Sequence, residues 1–314
     1  MTAALRSLRR GAEYLAYFVV QGLVRLLPHR SARGLGRGIG RLAHAVLGRH
    51  RRIAADNLAR ALPELGEEER RRTVRACFEH FGLALADAIS AARFDLVELC
   101  RRLDLEGWEH LQEAEEEIAR RGAGTGVFIL SAHLGLWEIA AYPPGIYGGP
   151  LHVVGRPVDN PRLDRELARA RARFGNRLIP KRGAARPMLR VLSQGGRVGI
   201  LIDQRARPEE GIWVPFFGRP SYTTPILARL ALRTGAPVVA IFGYPLPGGR
   251  YRVVLREPIW PEAAGGLEGE EAVAELTRRY LEVCEREIRE HPEMWLWMHR
   301  RWKGSGGAPA RSRG

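Results

Sequence analysis

Val127-Phe-Ile-Leu-Ser-Ala-His-Leu-Gly-Leu-Trp-Glu138 is the stretch that decides how this chain reads. Val127–Leu130 is an uninterrupted apolar run, the pattern of a strand buried on both faces. His133 leaves the end of that strand, and open α/β sheets gather their ligands at the carboxyl ends of strands. Glu138 follows five residues later. In one continuous helix five residues turn about 500°, so the two side chains would diverge by about 140°. They meet only if His133 stays in the loop and Glu138 opens the helix, a bend that Gly135 permits. Glu138 is also electrostatically favoured near a helix N-terminus. In that geometry the carboxylate fixes the imidazole tautomer, and the second ring nitrogen is free to act as general base toward a hydroxyl. The alternative on spacing alone is a loop histidine bonded to backbone and a glutamate that merely starts a helix.

Outward from this stretch the pattern repeats. Leu151–Val154, Val198–Ile202 and Val238–Phe242 are further buried-strand runs, and Tyr251–Leu255 alternates as an edge strand would. Amphipathic segments at Arg162–Phe174, Pro187–Ser193 and Pro225–Thr234 lie between them, and a long final helix covers about 268–290. The alternation predicts an α/β fold: a mixed, mostly parallel sheet flanked by helices. The first hundred residues read as all-helical. Glu67-Glu68-Glu69 suits a helix start. Gly34, Gly36, Gly38 and Gly40 include glycines four apart, a spacing that allows close helix packing. The expected organisation is an N-terminal helix over 1–30, a body over 31–303 (helical in 31–110, catalytic α/β in 120–303) and a disordered tail over 304–314.

Other strand ends carry polar residues. Asp203-Gln204 follows Ile202, and Asp203 either anchors the active-site loop, contacts a polar headgroup or is a plain turn residue. Arg156 follows the strand ending at Val154, where a guanidinium can hold phosphate or an oxyanion. Lys181, Arg182 and Arg186 form a basic cluster that is an anion site or a solvated face. Trp213–Pro220 is dense in aromatics and prolines for a loop, suited to an acyl-chain channel, to lipid or to packing on the core. In Pro292–Lys303, Trp295, Trp297 and Trp302 flank His299, Arg300 and Arg301, which suits a membrane interface or base stacking.

Charge narrows the classes. The 314 residues carry a formal net charge of +15, and 12 arginines against two acids in residues 1–60 supply +10 of it. Nucleic acid and an anionic membrane surface both fit such a chain. Arg6, Arg9 and Arg10 precede the apolar stretch Tyr14–Val24, and Arg25, His29, Arg30 and Arg33 follow it. The run is short for a span, and no small-x-small cleavage site follows it. An interfacial or marginally spanning helix fits, with a flanked core helix as the alternative. No stretch of about 18 uncharged apolar residues exists, which excludes a multi-pass membrane protein. Cys77, Cys100 and Cys284 are far apart, arguing against a zinc site or disulfide scaffold.

Taken together, several blocks resemble one family. They are Ala55-Asp-Asn-Leu58, the His133-x4-Glu138 block, Gly155-Arg-Pro-Val-Asp-Asn-Pro161, Phe174-Gly-Asn176, Gly199-Ile-Leu-Ile-Asp-Gln204, Val214-Pro-Phe-Phe-Gly218, Ala228–Ala231 with Thr234-Gly-Ala-Pro237, and Pro292–Lys303. In this order, over roughly residues 10–303, they resemble the bacterial late lipid A acyltransferases of the lysophospholipid acyltransferase superfamily. The resemblance implies transfer of an acyl chain from a thioester, on acyl carrier protein or acyl-CoA, to a hydroxyl of a membrane glycolipid. It implies His133 as base and Glu138 as its orienting acid, with direct attack in a ternary complex. Arg156 would contact phosphate or the reacting carbonyl, and Asp203 and Gln204 would be structural or headgroup-binding. Lys181 and Arg182 are kept as substrate-binding candidates. The resemblance implies no metal and no cofactor. It places the protein at the bacterial cytoplasmic membrane, on the cytoplasmic side, with an anionic lipid surface as partner rather than nucleic acid, for which no signature is present. Leu136 stands where the family often has Asn, and Arg205 where it often has a polar or acidic residue. A related group acylates phosphatidylinositol mannosides, which leaves the acceptor open.

Overall fold

The structure, a computed structural model, describes residues 3–304, with side chains from Arg10 onward. The tail expected over 304–314 therefore falls, from residue 305, outside the described residues, as do the side chains of Arg6 and Arg9. The helical N-terminal region comprises α1 (Ala3–Leu26), α2 (His29–Val46), α3 (Gly48–Ala61), α4 (Glu67–Ala91) and α5 (Leu96–Arg102). Three acids fill the first turn of α4, as its positive N-terminal dipole favours. Helices α2 and α4 are in contact through glycines. A Cβ on Gly40 would stand 2.2 Å from the Phe78 carbonyl oxygen, and one on Gly36 2.5 Å from that of Gly82. Any side chain there would separate the two helices.

The α/β body then alternates: β1 (Leu103–Glu106), α6 (Trp108–Arg121), β2 (Val127–Ser131), α7 (Trp137–Ala140), α8 (Tyr142–Tyr147), β3 (Leu151–Gly155), α9 (Pro161–Arg173), β4 (Arg177–Pro180), α10 (Ala185–Leu192), β5 (Arg197–Leu201), β6 (Ile212–Phe216), β7 (Arg219–Thr223), α11 (Ile226–Thr234), β8 (Val238–Pro245), β9 (Tyr251–Leu255) and α12 (Gly269–Glu290). Asn160 caps α9 by accepting from the Arg162 amide, and Pro161 fills its first position. Gly122, at φ 62°, closes α6 in the left-handed conformation typical of helix ends.

Seven strands form one sheet in the order β1-β9-β8-β2-β5-β3-β4. Every neighbouring pair is parallel except β8 with β9. The period of two sends alternate residues to opposite faces. Phe128, Leu130, Val198, Ile200, Val238 and Ala240 join the core under α10, α11 and α12. Val127, Ile129, Val239 and Ile241 join a second core under α6, with Leu111, Ala114 and Ile118. Burying each of the larger side chains among them contributes roughly 1.5–3 kcal/mol.

Two expectations change. Tyr251–Leu255 is not at the edge: β1 pairs beyond it, and the edges are β1 and β4. Leu103-Asp-Leu-Glu106 is too short and too polar to announce itself as a strand. Trp213–Pro220 is not a loop but most of the antiparallel hairpin β6–β7, turned at Phe217 with φ 51°. Its own Phe216 and Phe217 are buried.

Candidate active site

The site follows from the sheet's register. β2 and β5 are parallel neighbours, and Ser131 stands opposite Leu201. Two residues further on, the same register sets His133 opposite Asp203 at the carboxyl edge of the sheet. The Asp203 carboxylate is fully buried. Its Oδ1 meets His133 Nδ1 at 2.9 Å, while Oδ2 accepts from the His133 backbone amide at 2.9 Å and from Trp295 Nε1 at 2.8 Å. One carboxylate thus holds both the backbone and the ring of His133.

The electrostatics follow. Burial alone would push the Asp203 carboxyl up, but the charge of His133 and the hydrogen bonds from His133 and Trp295 hold it at about 2. At His133 burial disfavours the imidazolium. The Asp203 charge and hydrogen bond, with a further contribution from Glu138, outweigh it and raise the pKa above the ordinary histidine value. With Asp203 ionised, Nδ1 carries the proton in the neutral ring, which puts the lone pair on Nε2. That nitrogen makes no hydrogen bond to the described residues, and the side chain keeps 24% exposure.

Glu138 sits where the sequence places it, in the first turn of α7, after the bend at Gly135 with φ 59°. That bend is tight. A Cβ on Gly135 would lie 2.1 Å from the Gly243 carbonyl oxygen, and the Leu136 amide donates to that same oxygen at 2.8 Å. The Glu138 carboxylate, however, is taken by Arg171 of α9 in a two-pronged pair, Nε–Oε2 at 2.9 Å and Nη2–Oε1 at 2.5 Å. The ring partner that spacing sought in Glu138 is therefore Asp203, which meets Nδ1, and Glu138 reaches His133 through charge. The physical reason is register: β5 delivers its carboxylate level with His133, whereas α7 turns Glu138 toward α9.

The C-terminal block is a support for this loop. The amides of Gly135 and Leu296 donate to the carbonyls of Met294 and His133, at 3.0 and 3.1 Å. Asn57 of α3 donates to the carbonyls of Trp297 and His299, at 2.7 and 2.5 Å. Trp295, Trp297 and Trp302 are at most 2% exposed and pack on Phe216 and Phe217. A membrane-facing or base-stacking role for these tryptophans is thereby corrected: they are core. Arg301 is fully buried over the Phe216 ring and donates to the Tyr222 carbonyl and Thr223 Oγ1. Burial lowers its pKa to about 10.

The other candidates lie along the same sheet edge without touching His133. Arg156 follows β3, two strands from β2, and pairs with exposed Asp159. Strands about 4.8 Å apart put it roughly 10 Å away. Lys181 follows β4 and approaches Glu210 at 3.7 Å, and Arg182 beside it is exposed. Gln204 is half-buried next to Asp203. Leu136 is buried with Leu83, Ile139 and Tyr142, so its side chain faces the core. Sequence reasoning missed Trp295 and Arg171 as partners, and also His80. That histidine, held down to about 4 by burial, has its Nε2 3.1 Å from the Gly135 carbonyl oxygen. Among the described residues no cluster of three metal-ligating side chains exists.

Residues 2–304 match the family model described as bacterial lipid A biosynthesis acyltransferase. The lauroyltransferase of lipid A biosynthesis from Escherichia coli (strain K12) is 30% identical over 92% of this chain and 91% of its own length. The palmitoleoyltransferase from the same strain is 27% identical over 88% and 86%. A phosphatidylinositol mannoside acyltransferase from Mycolicibacterium smegmatis is 26% identical over 72% of this chain and 73% of its own.

Proposed function

This chain belongs to the bacterial lipid A biosynthesis acyltransferase family and is an O-acyltransferase, and from that premise we propose that His133 is its general base, working on a lipid A precursor with acyl carrier protein as thioester donor. The observation that carries the reading is the His133–Asp203 pair, which points a lone pair on Nε2 away from the core. Nε2 takes the proton of the acceptor hydroxyl as its oxygen attacks the thioester carbonyl. The tetrahedral intermediate collapses, the carbon–sulfur bond breaks, and the thiolate leaves with the proton returned by the imidazolium. Asp203 stabilises that imidazolium and fixes the tautomer. Glu138, clamped by Arg171, adds negative charge near the developing cation. Arg156, Lys181, Arg182 and Gln204 stand along the sheet edge where a phosphorylated acceptor would lie.

Membrane attachment belongs to the same proposal. No helix among the described residues is long and apolar enough to cross a membrane. Leu15, Phe18, Val19, Leu23 and Leu26 form an exposed stripe on α1 at the spacing of one helical face. Such a stripe beside arginines suits a helix lying in the headgroup region of an anionic cytoplasmic leaflet.

The test is transfer itself. Detergent-extracted enzyme is incubated with acyl carrier protein thioesters and a panel of acceptors, with His133→Ala as control, and products are read by mass. His133-dependent mass gain on tetra-acylated lipid A precursor is the expected result. Gain only on phosphatidylinositol mannoside would keep the chemistry and replace the acceptor. Gain that persists in His133→Ala would end the mechanism.

A further inference from the structure

A cavity of about 290 Å³ lies at the elbow between α1 and α2, lined by Leu27, Pro28, His29, Ser90, Arg93, Phe94 and Arg102. It is separate from the catalytic edge. Ser90 is ten residues along α4 from His80, the helix residue that meets the Gly135 carbonyl, a distance of about 15 Å. Three polar features converge on it. Ser90 is 3% exposed, and its buried hydroxyl has no hydrogen-bond partner, a costly state for a buried polar atom. Arg93 gives a single long bond, 3.3 Å, to the Val24 carbonyl and has no carboxylate partner among the described residues. The first turn of α2 begins at His29, with Pro28 as a cap that offers no side-chain acceptor, so its leading amides are open to an anion.

Two of the acids nearby have cationic partners. Asp87, behind the cavity, is met by His29 at 2.9 Å and Arg33 at 3.2 Å. Glu98 pairs with Arg102. At the end of α4 the Ser90 and Ala91 carbonyls accept from the amides of Arg93 and Phe94. Asp95, next to Phe94, has its Oδ1 engaged by the Glu98 amide at the start of α5, and the lining residues themselves carry cations and donors but no acid. Around it the surface is apolar. Leu26, at 84% exposure, precedes the lining residue Leu27, and Leu96 and Val97, at 53% and 59%, follow the lining residue Phe94 closely.

A donor-lined pocket ringed by exposed aliphatic side chains matches one ligand chemistry: a phosphate attached to acyl chains. We propose that this elbow binds the headgroup phosphate of an anionic phospholipid of the bilayer, through Arg93, Ser90 and the first turn of α2, while Leu26, Leu96 and Val97 meet its chains. The proposal rests on the membrane-attached reading above and gives it a specific lipid contact distinct from general basicity.

The experiment is flotation of the full chain with vesicles of phosphatidylcholine alone or with phosphatidylglycerol added. Ser90→Ala/Arg93→Lys is compared with wild type, and folding is checked by circular dichroism. The double variant keeps the net charge but loses the hydroxyl and the guanidinium fork. Hydrogen bonds to a charged group are strong enough that their loss lowers vesicle affinity about tenfold or more. Melting should fall little, because the hydroxyl removed is unpartnered and the Arg93 bond to the Val24 carbonyl is long. Equal affinity of variant and wild type for phosphatidylglycerol vesicles would overturn the pocket, as would indifference of wild type to vesicle charge. Stabilisation of wild type by inorganic phosphate, with vesicle binding unchanged in the variant, would make the ligand a soluble phosphate and overturn the lipid assignment. His133→Ala should float like wild type. A chain that floats through this pocket yet shows no His133-dependent transfer would sink the catalytic reading and leave this one standing.

Discussion

Asp203→Asn isolates what the buried carboxylate does. Asp203 receives three donors: the His133 amide and Trp295 Nε1 at Oδ2, and His133 Nδ1 at Oδ1. An asparagine of the same shape keeps two of them if its oxygen takes the Oδ2 position. Its NH2 group then faces Nδ1, which must accept instead of donate. The ring proton moves to Nε2, and the lone pair leaves the nitrogen that faces the acceptor. A general base contributes about 10²–10⁴ in rate, and tautomer inversion forfeits most of that. A fall in kcat of about 10³ is expected, about 4 kcal/mol of transition-state stabilisation. KM should change little, because the substituted group does not touch substrate. Stability should fall by only about 1–2 kcal/mol, since the packing and two hydrogen bonds persist. The assay is steady-state transfer at saturating donor and acceptor, beside urea unfolding. The pH profile adds a second readout. Wild-type activity should rise with pH along a limb displaced above pH 6.5, because Asp203 raises the His133 pKa. Residual activity in the variant should show that limb at lower pH. A folded Asp203→Asn protein within tenfold of wild-type kcat, with the limb unmoved, would refute the reasoning.

Further expectations are as direct. His133→Ala should abolish transfer in a chain that still unfolds cooperatively, checked by mass and circular dichroism. Glu138→Gln should lower kcat less than Asp203→Asn, because Glu138 meets His133 only through charge; a larger loss for Glu138→Gln would restore it as the residue that orients the base. Gly40→Ala should destabilise by about 1–3 kcal/mol in urea, since its Cβ would meet the Phe78 carbonyl at 2.2 Å. Burial lowers the pKa of His80 and of His299 to about 4; the unfolded chain therefore binds more protons between pH 6.5 and 4, and urea stability should fall as pH falls through that window.

The parallel strands and their helices were legible because short uninterrupted apolar runs and amphipathic segments are local patterns. His133 was legible for the same reason: it follows a buried strand directly. The partners of His133 were not. Spacing within one segment favoured Glu138, the only acid close in sequence, while Asp203 lies 70 residues away. The tryptophans of the last block looked like surface anchors because aromatic and basic residues alternate there, a composition that says nothing about which side is covered. Their burial depends on the β6–β7 hairpin folding over them, and that hairpin itself reads as an aromatic-proline loop.

Order along the chain thus determined the class of fold, the place of His133 at a strand end and the bend at Gly135 that follows it, each set by the physics of a few neighbouring residues. Which strand lies beside which was decided only in three dimensions. With β5 next to β2 and Ser131 level with Leu201, a carboxylate from one strand end is brought to the imidazole of another. Such a pairing is a long-range property of the closed sheet, because the loops between strands leave many orders open and only the packed cores on both faces select one.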